Sequence, residues 1–230
     1  MLLRITFRIY AWGSSGSAGT FSINDFTFNG FMGCTANTTW TAGAWDNGDP
    51  STSINAIIAD NYDTNTHGDI TACSLTINSG AVLNVANNTF VEIQNDVTVD
   101  GTISVQTHGN FVQNSNSSIF TNNGDSFVRK ETSVLDNWVD YTYWSSPVNG
   151  LTIGAGPLVD SDRRFWYDAA NYFDGNSDGL DDDANDWQIT SNTTTMTPGR
   201  GFAASHTQIG WIGSAAYNYN FVGEFNNGIL

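Results

Sequence analysis

Two consecutive copies of one short pattern, in residues 74–113, decide the fold. The first copy is SLTINSGAVLNVANNTFVEIQ (residues 74–94) and the second is DVTVDGTISVQTHGNFVQ (residues 96–113). Within each copy apolar and polar residues alternate, which is typical of strands with one buried face. Equivalent positions lie 20 to 22 residues apart: Leu75, Ile77, Leu83 and Val85 correspond to Val97, Val99, Ile103 and Val105, Gly80 to Gly101, and Phe90 with Val91 to Phe111 with Val112.

A period of this length, with Gly and Asn at the turns, predicts rungs of a β-solenoid. A single rung cannot bury its inner face, so stacked rungs supply the core. A meander of hairpins in a β-sandwich is the alternative interpretation. Helical periodicity is nearly absent elsewhere, and SINAIIADNY (residues 53–62) fits a strand as well as a helix. The fold class is therefore predicted to be all-β.

Three regions are expected along the chain. Residues 1–33 alternate like the terminal β-hairpin of a truncated jelly roll, and residues 34–124 form the solenoid-like region. Residues 125–230 become dense in aromatic residues and predict a β-sandwich-like unit, with a boundary near residues 122–125. We expect this last unit to be incomplete at its C-terminal end.

The charge of the chain excludes several classes of function. The 230 residues carry 23 acidic and 7 basic side chains, a net charge of −16. Nucleic-acid binding and attachment to anionic membranes both depend on basic groups. No apolar run approaches the ~18 residues of a membrane-spanning helix, so we expect no membrane insertion. Arg4 and Arg8 interrupt the first apolar stretch, so a signal peptide is not expected there either.

The stretch YFDGNSDGLDDDANDW (residues 172–187) contains six aspartates. Its order matches the first half of the calcium loop D-x-[DN]-x-[DN]-G, in which alternate oxygens surround one hard cation and Gly takes the sharp turn. The residue after the Gly offers its backbone carbonyl. Positions 1, 3, 5, 7 and 9 are Asp174, Asn176, Asp178, Leu180 and Asp182. We expect the side chain of Leu180 to point inward and anchor the loop.

The loop departs from a regulatory EF-hand at position 12, which is Asn185 where the EF-hand has a bidentate Glu. No amphipathic helices flank it. It is similar to the shorter aspartate-rich calcium loops of secreted proteins, such as dockerin-type and thrombospondin type 3 repeats. Asp183 or Asp186 is expected to complete the ligand shell. A solvated acidic turn is the alternative, but carboxylates packed this closely repel one another, which favours bound Ca²⁺.

Carbohydrate binding and catalysis are the other functions considered. Exposed Trp40, Trp45, Trp166 and Trp211 would form a sugar-stacking surface, although tryptophans of a β protein more often lie in its core. Hydrolases with a serine nucleophile commonly carry a G-x-S-x-G motif, which this sequence lacks. A lyase or hydrolase of the β-helix type would need more rungs and a cleft of basic residues or paired carboxylates. We therefore expect no catalytic residues.

Cys34 and Cys73 are the only cysteines, too few for a zinc site built from thiolates alone. Their number leaves open two buried free thiols or one disulfide, and export would favour the disulfide. The three histidines are scattered and show no metal-ligand spacing with the cysteines.

Several segments together resemble interior regions of large secreted or cell-surface proteins of Bacteroidota, many of them adhesins or accessory regions of enzymes. The segments are RIYAWGSSGSAGTFSINDFTFNG, CTANTTWTAGAWDNGDPSTSINAIIADNYDT with ACSLTINSGAVLNV, and FVRKETSVLDNWVDYTYWSSPV with RRFWYDAANYFDGNSDGLDDDANDWQI and MTPGRGFA. The resemblance implies export by the type IX secretion system. It also implies a disulfide between Cys34 and Cys73, because two cysteines recur at these positions in the family pattern.

The expected function is an extracellular, non-enzymatic structural or adhesion module stabilised by Ca²⁺. Its partner would be an extracellular polysaccharide or another surface. A carbohydrate-binding accessory module of a secreted polysaccharide-degrading enzyme is the first alternative. A β-helix polysaccharide lyase or hydrolase is the second.

Overall fold

The computed structural model describes residues 33–180, 183 and 186–228. The predicted hairpin of residues 1–33 lies outside this part of the chain, except for its last residue. The chain from Gly33 onward forms one compact unit. No helix among the described residues is long and apolar enough to cross a membrane.

Short strands account for nearly all the regular structure. In chain order they are β1 (Ala36–Thr41), β2 (Ala44–Trp45), β3 (Ile54–Ile58), β4 (Tyr62–Asp63), β5 (Ile70–Ala72), β6 (Leu75–Ile77), β7 (Val82–Val85), β8 (Phe90–Ile93), β9 (Val97–Val99), β10 (Thr102–Val105), β11 (Asn110–Gln113), β12 (Phe120–Asn122), β13 (Asp125–Glu131), β14 (Tyr141–Trp144), β15 (Arg164–Tyr167), β16 (Trp187–Ile189), β17 (Phe202–Ser205) and β18 (Asn218–Val222). One α-helical turn, α1, spans Thr64–His67, and two 3₁₀ turns span Ile153–Ala155 and Ala169–Asn171.

The strands from β3 to β13 build a three-sided solenoid. The chain visits three sheets in turn, so that each sheet receives every third strand. These sheets have the orders β12-β9-β6-β3-β1-β2, β18-β13-β10-β7-β4 and β11-β8-β5. Strands of successive rungs pair in parallel, as β6 with β9 and β7 with β10 do. Parallel pairing confirms the solenoid and excludes the meander of hairpins, whose neighbouring strands would be antiparallel.

The core consists of ladders of apolar side chains inside the rungs. Leu75 lies beside Val97 and Leu83 beside Ile103, as the repeat predicts. All four are at most 1 % exposed. Burying each such side chain contributes roughly 1.5–3 kcal/mol, so stacking supplies the stability that a lone rung lacks.

One register of the predicted repeat is wrong. Val91 pairs with Phe111, and Phe90 pairs with Asn110, one residue away from the predicted match. Val91 is fully buried, whereas Phe90 is 39 % exposed and Val112 is 46 % exposed. A shift of one residue turns a side chain to the other face of a strand. Burial of Val91 therefore sets the register, and the similarity of the Phe-Val pairs is misleading.

The first rung is closed by a disulfide and by aromatic packing. Cys34 and Cys73 are bonded, with Cα atoms 5.7 Å apart, which confirms the pairing implied by the resemblance. The bond joins the residues before β1 to the turn between β5 and β6. Trp40 is 5 % exposed and packs edge-to-face on Tyr62, with ring centroids 4.7 Å apart. This packing shields the end of the apolar ladders from water.

A second, antiparallel layer follows the last rung. β13 still pairs in parallel with β10, and this pairing continues to Val128, past the predicted boundary near residues 122–125. β18 adds antiparallel to the outer edge of β13. The remaining strands form a four-stranded antiparallel sheet of order β14-β17-β15-β16. Trp144 on its buried face contacts Tyr219 and Phe221 of β18, so this sheet packs against the five-stranded one.

Candidate functional site

The acidic loop connects β15 to β16 at one edge of the four-stranded sheet. The backbone N–H of Asp168 donates to the carbonyl of Asp186 at 2.9 Å, which closes the base of the loop. Asp186 is 2 % exposed, whereas Asp174, Asp178 and Asp183 are solvent-accessible. The loop is thus anchored at its base and projects into solvent.

The aspartates at the tip of the loop fold back onto its backbone. The carboxylate of Asp174 accepts the N–H of Gly179 at 3.0 Å, and that of Asp178 accepts the N–H of Leu180 at 2.8 Å. Asn176 donates its backbone N–H to Asp183 at 2.9 Å. Gly179 has φ +79°, a left-handed conformation that Gly adopts without strain. The side-chain oxygen of Asn176 accepts the N–H of Asp178 at 3.0 Å, so the oxygens at motif positions 1, 3 and 5 all accept backbone N–H groups of one turn. Asp183 also bonds to this turn.

The other predicted ligands are placed differently. Leu180 is 59 % exposed, so the prediction that its side chain anchors the loop is wrong, although its carbonyl is still available as a ligand. Asp182 lies outside the described residues. Within residues 33–180, 183 and 186–228, no three His, Cys, Asp or Glu side chains stand close enough together to hold a metal ion. Bound calcium stays a prediction, and Asp183 is better placed than the buried Asp186 to complete a shell at the tip.

The four tryptophans considered for sugar stacking do not form an exposed row. Trp40 belongs to the solenoid core, and Trp45 packs partly buried against it. Trp166 lies under the guanidinium of Arg200, 4.2 Å from its ring centroid. Trp211 stacks on the ring of Tyr217, with centroids 5.3 Å apart. These four positions are occupied by packing, in agreement with the core interpretation.

A different set of aromatic residues forms a groove on the outer face of the four-stranded sheet. Its volume is about 320 Å³, and it is lined by Tyr141, Tyr143, Phe165, Trp187 and Ala203. Clefts for small molecules commonly have volumes of ~300–1,000 Å³ and are mostly apolar with a few polar groups. We call this feature the aromatic groove.

Strand order and alternation produce the aromatic groove. Ala203 on β17 pairs with Tyr143 of β14 on one side and with Phe165 of β15 on the other. Side chains alternate between the faces of a sheet, so these three residues face outward while Trp144 and Phe202 face the core. Ala203 is the floor, because its methyl group is the smallest side chain between two strands that carry rings.

The rings meet across this floor. The centroids of Tyr141 and Phe165 are 6.2 Å apart, and those of Tyr143 and Trp187 are 6.3 Å apart. Tyr143 is 71 % exposed and Tyr141 is 40 % exposed, so ring faces and phenol groups remain accessible to a ligand. Tyr167 packs against Trp187 at 5.3 Å and supports it from the strand before the acidic loop. The site is an open apolar surface with a polar rim.

The chain belongs to the DUF8693 family. This family is described as a domain of unknown function, and its model matches residues 30–230. No curated protein and no solved structure matches the chain. In this DUF8693 chain the matched region includes the disulfide, the acidic loop and every residue that lines the aromatic groove.

The DUF8693 sequence does carry a signal for the groove, which lies in the outward positions of three short strands. Tyr141 and Tyr143 alternate on β14, Phe165 and Tyr167 alternate on β15, and Trp187 begins β16. The density of aromatic residues was visible in the sequence, but the part played by Ala203 was not. Only the strand order, which inserts β17 between β14 and β15, shows that a small residue separates the rings.

Proposed function

We propose that this chain is an extracellular, non-enzymatic adhesion module that binds carbohydrate through the aromatic groove. The observation that carries the proposal is the accessible set of rings, those of Tyr141, Tyr143, Phe165 and Trp187, around the small floor residue Ala203. The proposal joins the adhesion function expected from the sequence to its carbohydrate-binding alternative, at residues other than the four tryptophans first considered.

Ring faces suit a sugar for a physical reason. An aromatic ring has a negative face, which attracts the weakly positive C–H groups on one side of a pyranose. The phenol groups of Tyr141 and Tyr143 can donate and accept hydrogen bonds at the rim, where sugar hydroxyls would lie. The same groove therefore offers an apolar surface and polar groups, as an amphipathic sugar requires.

A peptide is a less suitable occupant. The floor strand β17 is paired on both sides, with β14 and β15, so it has no open edge for a peptide strand to extend. A peptide lying across the rings would lose water from its N–H and C=O groups without gaining backbone partners, which is costly. A sugar can turn its hydroxyls to solvent and only its C–H face to the rings.

The disulfide supports an extracellular location. Disulfides persist in oxidising compartments and are rare in the cytosol of most organisms. The bond between Cys34 and Cys73 therefore favours an exported protein. Export by the type IX secretion system is part of the proposal and depends on the sequence resemblance.

Affinity electrophoresis in gels containing soluble polysaccharides, including hydroxyethylcellulose, galactomannan and alginate, tests the carbohydrate proposal. We expect at least one polysaccharide to retard the chain, and Tyr143→Ala and Trp187→Ala to abolish or weaken the retardation. Stacking of a nucleic-acid base on one aromatic side chain is worth about 1–3 kcal/mol, so a comparable loss would weaken binding about 5- to 150-fold. Ile209→Ala is the matched control, since Ile209 is 98 % exposed and is not among the groove residues. Equal retardation of all three variants would refute the role of the groove.

Stabilisation by calcium is a second proposed property, supported by the acidic loop. Asp174, Asn176, Asp178 and Asp183 are held around one turn by hydrogen bonds to its backbone. A cation at this turn would offset the mutual repulsion of the carboxylates. Thermal unfolding with CaCl₂ and with a chelator tests this property, because a ligand that binds only the folded state raises its stability. An unchanged midpoint would exclude it.

A further inference from the structure

Building on the proposed carbohydrate function, we propose that the aromatic groove accepts uncharged polysaccharides and rejects those that carry carboxylate or sulfate groups. The class of ligand follows from three observations: the lining of the groove, the positions of the nearby arginines, and the charge of the surrounding protein.

The lining residues include no acidic and no basic side chain. Tyr141, Tyr143, Phe165, Trp187 and Ala203 offer ring faces, two phenol groups, an indole and a methyl group. A uronate or sulfate placed against these rings would lose hydration without meeting a cation, and burial of an unpaired charge is unfavourable. The negative faces of the rings would repel the anion as well. A neutral pyranose neither buries an unpaired charge nor is repelled by the ring faces.

Arg164 of β15 and Arg200, in the turn before β17, are both directed away from the groove. Arg164 pairs with Ala204, next to the floor residue, so alternation places its side chain on the opposite face from Phe165. Its guanidinium donates to the carbonyl of Val159 and to the side chain of Asn192, each at 2.9 Å. Arg200 lies over Trp166, which is also on the opposite face. Neither guanidinium can pair with an anion in the groove.

Among the arginines that the structure describes near this sheet, Arg163 is the one that an anionic sugar in the groove could reach. It precedes β15 and shares the outward parity of Phe165, and its backbone pairs with Ser205 beyond the floor residue. The preceding residue is Asp162, and its carboxylate accepts the backbone N–H of Gln208 at 2.7 Å. A single exposed cation offers little net attraction for a polyanion. Arg163 is nevertheless the residue whose substitution would reveal recognition of an anion.

The negative charge of the surrounding protein repels an anion that approaches the groove. The chain has a net charge of −16. The acidic loop begins and ends on the strands that carry Tyr167 and Trp187, with Asp174, Asp178 and Asp183 accessible in between. Exposed charges act over roughly 10 Å at 0.1 M salt, and clefts with walls of one sign concentrate their field. An approaching polyanion is therefore repelled at the Trp187 end of the groove.

Matched pairs of oligosaccharides test this selection. Each pair should differ only in the C6 group: β-1,4-linked glucose and glucuronate hexamers, and β-1,4-linked mannose and mannuronate hexamers. Binding to the full chain is measured by isothermal titration calorimetry in 20 mM and 300 mM NaCl. For each sugar series that binds, we expect the neutral hexamer to bind at least tenfold more tightly than its uronate in 20 mM NaCl. The ratio of the two affinities should be smaller in 300 mM NaCl. Arg163→Gln should leave the affinity for the neutral hexamer unchanged.

The outcomes separate the two proposals. If a uronate hexamer binds as tightly as its neutral partner or more tightly, and Arg163→Gln weakens it, the selection is wrong while carbohydrate binding stands. If no neutral or acidic sugar binds, both proposals fail. If a proline-rich peptide binds with loss in Trp187→Ala while the sugars do not, the groove is a peptide site and both proposals are again refuted.

Discussion

The rings of Tyr143 and Trp187 have centroids 6.3 Å apart although they stand on the two edge strands of the four-stranded sheet. Three strand spacings separate β14 from β16, about 14 Å in a regular sheet. The two side chains therefore lean inward over the central strands β17 and β15, where they bury part of their apolar surface. The small residue on β17 leaves the space between them that we interpret as a binding groove.

Filling the floor of the groove should block binding. Ala203→Leu adds three carbon atoms between Tyr143 and Phe165, so we expect a loss of polysaccharide retardation of at least tenfold. Overpacking costs about 1–3 kcal/mol in a closed core, and the open side of the groove should keep the cost near the lower end. Ala203→Ser is the matched control and should bind normally. Normal retardation of Ala203→Leu would contradict the assignment of the floor.

Reduction of the disulfide should destabilise the first rung. The bond between Cys34 and Cys73 closes a loop with a sequence separation of 39. On the chain-entropy treatment a loop of this size contributes about 4 kcal/mol. We expect a reductant to lower the midpoint of thermal unfolding of the wild-type chain. The midpoint of the double variant Cys34→Ala/Cys73→Ala should be equally low and should not change with the reductant. A midpoint that does not respond to reductant in the wild-type chain would refute this role.

The close stacking of rungs at one corner predicts a sensitive glycine. A Cβ added at Gly124 would lie 2.0 Å from the carbonyl oxygen of Gly101 in the preceding rung. Gly124→Ala must separate the two turns, and we expect a loss of about 2–3 kcal/mol, in the range of overpacked cores. Gly201→Ala is the control, because no atom lies within 4 Å of its added Cβ. The midpoint of urea unfolding measures the stability of each variant. Equal midpoints for Gly124→Ala and Gly201→Ala would contradict the close stacking of the two turns.

Removal of two loop carboxylates should abolish any stabilisation by calcium. At calcium a hundredfold above the dissociation constant, binding to the folded state adds about 2.7 kcal/mol. Asp174→Asn/Asp178→Asn should eliminate the shift in unfolding midpoint and leave calcium-free stability equal or slightly higher, since repulsion is relieved. Asp125→Asn, on β13, should retain the full shift. A shift that persists in the double variant would place the ion elsewhere.

Two buried tyrosines should make stability fall in strong alkali. Loss of hydration on burial, with a smaller contribution from the negative charge of Asp49, raises the pKa of Tyr62 from 10.0 to about 12. Burial likewise raises the pKa of Tyr219 to about 12, with a smaller contribution from Tyr217. Above pH 10 the unfolded chain releases these protons and the folded chain keeps them, so stability decreases from pH 10 to pH 12.

The variant Tyr62→Phe/Tyr219→Phe separates these two groups from the other titrating residues. It lacks both phenols, so its urea midpoint should decrease less than that of the wild-type chain between pH 9 and pH 12. At pH 9 the variant should be less stable, because Tyr62 donates to the carbonyls of His67 and Gly68. A constant difference between the two chains across this range would contradict the raised pKa values.

The all-β class, the solenoid and most of its register could be predicted from the sequence alone. This was possible because a rung interacts with its neighbours at a fixed sequence interval, so the pattern of buried residues repeats along the chain. Leu75 with Val97 and Leu83 with Ile103 follow from that interval. The order of the acidic loop also placed Asp174, Asn176 and Asp178 at one turn, where local hydrogen bonds hold them, while bound calcium stays a prediction.

The features that depend on strands distant in sequence became evident only from the three-dimensional fold. The match of Phe90 to Phe111 was wrong because burial of Val91, and not residue similarity, sets the pairing. The sequence showed the density of aromatic residues but not the aromatic groove itself, because Tyr143 is brought near Phe165 only when β17 inserts between β14 and β15. That order is fixed by long-range antiparallel pairing and by burial of the opposite face, neither of which leaves a periodic signal along the chain.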